Sequence, residues 1–236
     1  MAPVFLIGGG RGDDAVRASH VPFARAVGDG PVAVIVLDEG ADTDVGRWTG
    51  ALARAGARET HAVVVSPARP PQPADVAGAA GVFVAGGWTP GYQEALVAAA
   101  GGDWLAPGVP YAGFSAGAAL AARTAIVGGW RLDGVEVCAE EAGEDLDAVT
   151  VRSGLGLVPF AVDVHAAQWG TLTRLLHVVG AGLAEEGWAV DEGTTLVAGD
   201  GPPRVEGLGC AYRVTRAGDR LSVTIARAPA AAAAGG

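Results

Sequence analysis

The sequence contains no lysine, so its 16 basic residues are all arginines, set against 26 carboxylates and giving a net charge of -10. An acidic chain without a basic block is poorly suited to bind nucleic acid or an anionic membrane, and we expect neither partner. It also lacks an apolar run of the ~18 residues that a membrane span needs. No basic stretch precedes the first apolar run, as it would in a secretory signal, and we therefore expect a cytoplasmic protein.

Cysteine is scarce as well. Cys138 and Cys210 lie far apart without the spacing of metal ligands, which indicates reduced thiols. Gly8-Gly9-Gly10 follows the first apolar run but belongs to no Gly-x-Gly-x-x-Gly or Gly-Lys-Ser/Thr motif, which argues against nucleotide binding. We expect neither a metal nor a cofactor.

The first half of the chain alternates short apolar runs with alanine-rich segments of helical length. This pattern is typical of βαβ units around buried parallel strands. The predicted strands are Val4–Ile7, Val32–Leu37, His61–Val65, Val82–Ala85 and Val109–Gly113, and the predicted helices are Asp13–Ala26, Thr43–Ala55 and Ala116–Arg123. A proline-rich loop, Pro67–Pro73, interrupts the series, but strands of the same kind resume after it, which favours one domain over residues 1–227.

The second half begins with an acidic segment, Asp133–Asp147, which is predicted to be a solvated loop. Further strands are predicted at Val149–Val151, Ala161–Val164, Trp188–Val190 and Thr195–Ala198, with a helix over Gln168–Val179 and a final hairpin of Gly209–Thr215 and Leu221–Ala226. The predicted fold class is α/β, a three-layer sandwich with a mainly parallel central sheet and a C-terminal antiparallel hairpin. Residues 228–236 form a low-complexity tail.

The strongest chemical signal is Gly113-Phe114-Ser115-Ala116-Gly117, a Gly-x-Ser-x-Gly motif between a predicted buried strand and a predicted helix. This nucleophile elbow turns so tightly that the serine adopts strained backbone angles and its hydroxyl projects above the sheet. The N–H groups that open the helix, beginning with that of Ala116, then face developing negative charge.

A serine nucleophile needs a base, and the chain has four histidines. His20, His61 and His177 fall within or at the start of predicted elements and are interpreted as structural. His165 directly follows the strand Ala161–Val164, at the carboxyl edge where catalytic residues of α/β sheets gather. We therefore predict that His165 is the general base.

The carboxylate that orients this base is left open by the sequence, with candidates at Asp133, Glu136, Glu140, Glu141 and Asp163. A second oxyanion donor could come from Gly86-Gly87-Trp88, which ends the strand Val82–Ala85. Two glycines that merely terminate a strand explain this turn equally well.

Taken in order, these motifs resemble the peptidase E and cyanophycinase group of serine peptidases, within the class I glutamine-amidotransferase-like fold. The matching segments are Gly8-Gly9-Gly10, Gly86-Gly87, Gly113-x-Ser115-Ala116-Gly117-Ala118, Gly154-Leu155-Gly156-Leu157-Val158-Pro159, Asp163-x-His165 and Asp191-Glu192. The resemblance spans about residues 4–214.

This resemblance implies that Ser115 is the acylating nucleophile and His165 its base, with the N–H groups of Gly87 and Ala116 forming the oxyanion hole. It places the triad acid some fifteen to eighteen positions after the serine, which makes Asp133 the first choice. Glu140 is held in reserve. A homodimer is suggested by the resemblance alone.

The chain departs from the family where substrate would be held. The arginine-rich run that follows the histidine in cyanophycinases is reduced here to Gln168 and Arg174, and Trp88 stands where relatives carry polar residues. These three residues are the predicted substrate contacts, and the reduced arginine run argues against the family's preference for aspartyl bonds.

The sequence thus favours a serine hydrolase that cleaves a small peptide or isopeptide through an acyl-enzyme. An esterase or amidase acting on a small acid, or a catalytically silent binding module on the same scaffold, are the alternatives. A glutamine amidotransferase is disfavoured because position 115 is serine rather than cysteine.

Overall fold

The computed structural model describes residues 2–101 and 103–229. Its strands are β1 Val4–Ile7, β2 Val32–Leu37, β3 Thr60–Val65, β4 Gly81–Val84, β5 Tyr111–Phe114, β6 Thr124–Gly128, β7 Arg131–Leu132, β8 Val135–Glu136, β9 Thr150–Ser153, β10 Ala161–Val164, β11 Glu186–Val190, β12 Thr194–Gly199, β13 Gly201–Gly207, β14 Cys210–Ala217 and β15 Arg220–Arg227. Its α-helices are α1 Asp13–Val27, α2 Val45–Ala55, α3 Thr89–Gln93, α4 Ala116–Leu120 and α5 Thr171–Gly180, and a π-helical stretch, Glu94–Ala99, continues α3.

A seven-stranded sheet forms the centre, in the order β13-β12-β1-β5-β4-β2-β3. The five strands from β1 to β3 in this order are parallel, and β12 and β13 add an antiparallel edge. The β1, β2, β4 and β5 strands are buried at every position, as expected of strands covered on both faces. The predicted fold class is confirmed.

Successive residues of β4 show how the two faces of the central sheet are covered, because side chains alternate along a strand. Phe83 meets Phe23 of α1 and Trp48 of α2, each at a ring distance of 6.2 Å. Val84 lies on the other face, against Gly117 of α4. The α1 and α2 helices therefore cover one face, and α4 covers the opposite one.

Four strands form a second sheet, in the order β10-β11-β14-β15, which the sequence did not indicate. The predicted C-terminal hairpin is confirmed as β14 and β15, but it extends this second sheet rather than the central one. Helix α4 contacts both β5 and β10, and α5 packs against the second sheet. The chain passes from the second sheet to the central one between β11 and β12, at residues 191–193.

Several local predictions differ from the structure. The predicted helix Ala116–Arg123 ends at Leu120, and β13 was missed because Pro202 and Pro203 argue against a strand. These prolines are tolerated because β13 is an edge strand, whose free side needs no N–H donor. The acidic segment contains strand β8, which pairs with β7 just before the segment, and a 3-10 turn over Glu140–Ala142 rather than only loop.

Positions 230–236 of the predicted tail lie outside the described residues. Within the residues that are described, no helix combines the length and apolar character needed to cross a bilayer.

Candidate active site

Ser115 stands at the junction of β5 and α4 with φ 50° and ψ -108°, a conformation that non-glycine residues rarely adopt. Its N–H donates to Ile7 O at 2.9 Å, which holds the turn against β1. The two glycines of the motif are needed for close packing. A Cβ on Gly113 would lie 2.3 Å from the Gly117 backbone, and one on Gly117 would lie 2.4 Å from Val84 O.

His165 follows β10 and also has a positive φ, of 56°. Its N–H donates to Gly8 O at 2.8 Å, so the backbone end of β1 holds it in place. The imidazole rests on Gly9, where a Cβ would lie 2.1 Å from Cε1. The Trp169 ring stacks on the imidazole, 4.0 Å between centroids at an interplanar angle of 9°. Gly9 is therefore a close-packing surface for the histidine.

A continuous hydrogen-bonded relay joins three side chains. Ser115 Oγ lies 2.8 Å from His165 Nε2, and His165 Nδ1 lies 2.7 Å from Glu192 Oε1. Because a carboxylate only accepts, Nδ1 carries the proton and Nε2 of the neutral ring presents its lone pair to the serine hydroxyl. The geometry is that of a serine–histidine–carboxylate triad.

Burial lowers the pKa of His165, and the hydrogen bond and negative charge of Glu192 oppose this shift. The net downward shift keeps the ring neutral, and able to accept a proton, to a lower pH than a free histidine.

The sequence analysis gave no role to Glu192. Its N–H donates to Gln168 Oε1 at 2.9 Å, which anchors its backbone. The preceding residue, Asp191, accepts from Ala167 N at 3.1 Å and Cys210 N at 3.0 Å and so fixes the crossover between the two sheets. The available signal was the placement of Asp191-Glu192 directly after β11, the same strand-end position that singled out His165.

The predicted triad acids do not contact His165. Asp133 lies exposed in the turn of the β7–β8 hairpin and is not among the residues that line the cavity at Ser115. Glu140 does line that cavity, but the carboxylate that is hydrogen-bonded to His165 Nδ1 is that of Glu192. The structure does not bring Asp133 to His165, because Asp133 lies in the turn between β7 and β8 with its side chain exposed.

Arg174 was predicted to hold substrate, but the structure engages its side chain inside the protein. Its side chain is buried and donates from Nε and Nη2 to Asp163, at 2.9 and 2.7 Å. It also donates to the backbone oxygens of Gly129 and Ala142, at 3.1 and 2.6 Å. Arg174 therefore ties α5 to β10 and to the acidic segment, and Asp163 serves this ion pair rather than His165.

The structure places the other two predicted substrate contacts, Gln168 and Trp88, in different surroundings. The Gln168 side chain accepts a hydrogen bond from the Glu192 backbone and is not among the cavity-lining residues. It therefore positions Glu192 and does not face the cavity. Trp88 lines the cavity and is 42% exposed, with its Nε1–H donating to Glu144 O at 3.2 Å.

The turn predicted to supply an oxyanion donor lies beside the serine. A Cβ on Gly86 would lie 3.3 Å from Ser115 Cβ, and Gly87 lines the same cavity. The Glu39 carboxylate accepts from Trp88 N at 2.8 Å and orders this turn. Ala116 opens α4, so its N–H has no acceptor one turn earlier in the helix.

The cavity above Ser115 has a volume of about 940 Å³ and is strongly acidic. Its lining carries two arginines, Arg11 and Arg47, and nine carboxylates: Glu39, Asp42, Asp44, Glu140, Glu141, Glu144, Asp145, Asp147 and Glu192. Among the residues the structure describes, no three or more acidic, histidine or cysteine side chains are grouped so as to hold a metal ion.

Backbone strain concentrates around this cavity. Of the five non-glycine residues with positive φ in the described chain, Ser115, Glu144, Asp145 and His165 line it, and Asp133 does not. Glu144 is held by Thr89, whose N–H and Oγ1–H donate to its carboxylate at 3.2 and 2.9 Å. Burial raises the pKa of Glu144, and these Thr89 hydrogen bonds oppose the shift.

Comparison with known proteins supports the resemblance at the level of fold. Fourteen chains of solved structures match this one. One of them, a 1.5 Å crystal structure of a candidate peptidase E from Listeria monocytogenes EGD-e, has a TM-score of 0.60 and 16% sequence identity, with 88% of this chain and 99% of that chain covered. No family model and no curated protein matches the sequence. The chain therefore has the fold of a peptidase E-like protein.

Proposed function

We propose that this chain is a serine hydrolase of the peptidase E type that cleaves a small peptide or isopeptide bond. The observation that carries the proposal is the relay from Ser115 Oγ through His165 to Glu192, with contacts of 2.8 and 2.7 Å. Backbone strain at Ser115 and His165 costs stability and is typical of catalytic sites. Its presence in two residues that are aligned with a carboxylate favours an enzyme over a silent binding module.

The chemistry follows from the proton positions. Ser115 Oγ attacks the substrate carbonyl while its proton moves to His165 Nε2, and Glu192 stabilises the imidazolium through Nδ1–H. The N–H groups of Gly87 and Ala116 donate to the oxyanion of the tetrahedral intermediate. Its collapse breaks the C–N bond, and Nε2–H protonates the departing amine.

The second half of the reaction reverses these roles. A water molecule gives its proton to Nε2 and attacks the acyl-enzyme ester, and Nε2–H then returns a proton to Ser115 Oγ as the acid product leaves. The open, 940 Å³ cavity favours a short substrate.

Labelling with a fluorophosphonate tests the proposal, with the adduct located by mass spectrometry. Wild type should be labelled at Ser115, whereas Ser115→Ala should lose both labelling and hydrolysis of a peptide library while its unfolding midpoint stays nearly unchanged. Absence of any adduct on wild-type Ser115, together with no turnover of peptides, esters or amides, would favour the silent binding module. Turnover of esters or amides without peptides would favour the small-molecule alternative.

A further inference from the structure

A smaller pocket of about 300 Å³ lies between α1 and α2, and it shares Gly10, Arg11, Arg47, Trp48 and Phe114 with the lining of the catalytic cavity. We call it the α1–α2 pocket, and it is lined by Gly10, Arg11, Gly12, Asp13, Val16, His20, Arg47, Trp48, Ala51, Arg54 and Phe114. The reaction proposed above makes no use of its deepest polar group.

That group is the His20 imidazole. Within the described residues, His20 Nε2 is the one buried side-chain nitrogen or oxygen without a hydrogen-bond partner. The residue has 0% of its surface exposed and its ring packs against Phe83 and Phe114, with centroids 5.5 and 5.6 Å away. An unpaired polar atom so deeply buried is costly and needs an explanation.

The tautomer of His20 follows from its neighbour. Ser19 Oγ–H donates to Ala15 O at 2.7 Å, and the same oxygen lies 3.0 Å from His20 Nδ1. Since the serine proton is already used, Nδ1–H must be the donor in that contact, and Nε2 is a bare acceptor. A ligand group that satisfies Nε2 therefore has to donate a proton, as a hydroxyl or an amino group does.

The charged residues that line the α1–α2 pocket indicate the charge of its ligand. Three arginines, Arg11, Arg47 and Arg54, line it against one acid, Asp13, which lies 3.5 Å from Arg54 Nε. Arg11 and Arg47 also line the acidic catalytic cavity, so they lie where the two pockets meet. The excess of guanidinium groups over carboxylates in the lining of the α1–α2 pocket favours an anion.

We propose that the α1–α2 pocket is a binding site for a small organic anion that also carries a hydroxyl or amino donor. The anion meets the arginines, and the donor reaches His20 Nε2, which this structure closes to solvent, through a shift of the surrounding side chains. Binding there needs no turnover by Ser115, although the pocket shares five lining residues with the catalytic cavity.

The test uses the full Ser115→Ala chain, ¹⁵N-labelled, with L-malate and succinate as probes, because the two differ only by one hydroxyl. We expect malate to bind saturably and shift the His20 Nε2 resonance, and succinate to bind about tenfold or more weakly, because it leaves Nε2 unpaired. Arg54→Gln should weaken malate binding several-fold, whereas Arg17→Gln, an arginine of α1 outside the lining, should leave it unchanged.

Three results would overturn this site. They are a His20 Nε2 resonance that is already that of a hydrogen-bonded nitrogen and does not move with malate, equal affinities for malate and succinate, and equal losses in Arg54→Gln and Arg17→Gln. The first would mean that the pocket holds a bound water only. Thermal unfolding of both arginine variants verifies that they are folded.

Discussion

Glu192 reaches Nδ1 of His165 at 2.7 Å from the short crossover that joins the second sheet to the central sheet. This contact assigns the orienting carboxylate to a residue 27 positions after the histidine. We expect Glu192→Gln to lower kcat about 10²- to 10⁴-fold, because the amide no longer stabilises the imidazolium and can favour the wrong tautomer. Steady-state hydrolysis of a peptide found to be a substrate measures this loss.

Asp133→Asn and Glu140→Gln are the matched controls for that measurement, since each also removes one negative charge, in their case from the acidic segment. Both should stay within about twofold of wild type if the orienting interaction is local. A larger loss in Asp133→Asn than in Glu192→Gln would contradict the arrangement.

The acid limb of the pH profile should fall below the ordinary histidine value of 6.5, since burial lowers the pKa of His165. The neutral ring is the active base, so kcat/KM should rise as pH increases through this pKa and then level off. In Glu192→Gln the limb should move lower still, because the charge that raises the pKa is lost. A wild-type limb above 6.5 would be inconsistent with burial as the dominant effect.

Gly9→Ala should abolish most activity, because its Cβ would lie 2.1 Å from His165 Cε1 and would displace the imidazole from Ser115. Gly9 has φ 108°, so part of any loss of stability comes from backbone strain alone. Gly56→Ala separates the two effects, because Gly56 has φ 105° and open space around it. Gly56→Ala should be destabilised but active, as checked by hydrolysis and urea unfolding. Comparable inactivation of both variants would argue against the packing of Gly9 on the His165 imidazole.

Arg174→Ala should lower the free energy of unfolding by about 3–5 kcal/mol, because it leaves the Asp163 carboxylate buried and unpaired. Arg213→Ala is the exposed counterpart, since its 2.6 Å pair with Glu186 is open to solvent on both sides, and it should cost no more than about 1 kcal/mol. Urea titrations compare the two. Similar losses would mean that the Arg174 pair contributes little beyond a surface pair.

His20 should make the fold sensitive to acid. Burial lowers its pKa from 6.5 to about 4, so the unfolded chain binds a proton that the folded chain does not between these values. Stability should therefore fall as pH drops below 6.5, by about 2 kcal/mol between pH 7 and pH 5. His20→Gln should remove this part of the pH dependence in urea titrations at the two pH values; an unchanged pH slope would contradict it.

Periodicity, strand-end positions and one motif were enough to predict the parallel core, the elbow at Ser115 and the choice of His165 among four histidines. These are local signals: buried strands are apolar on both faces, a strand-to-helix turn this tight demands small neighbours at Gly113 and Gly117, and residues that end parallel strands share one edge. The carboxylate that orients His165 could not be chosen in this way, because no local signal in the sequence distinguished it from several other carboxylates.

Which carboxylate meets the imidazole depends on how the second sheet, β10-β11-β14-β15, is set against the central one, and that is a matter of contacts between residues distant in sequence. The same packing directs Arg174 inward to Asp163 and places Gly9 in contact with the imidazole of His165. Amino-acid order alone thus determined most of the elements and singled out Ser115 as the candidate nucleophile. Long-range packing selected the partner of the histidine, because distances through space have no counterpart in spacing along the chain.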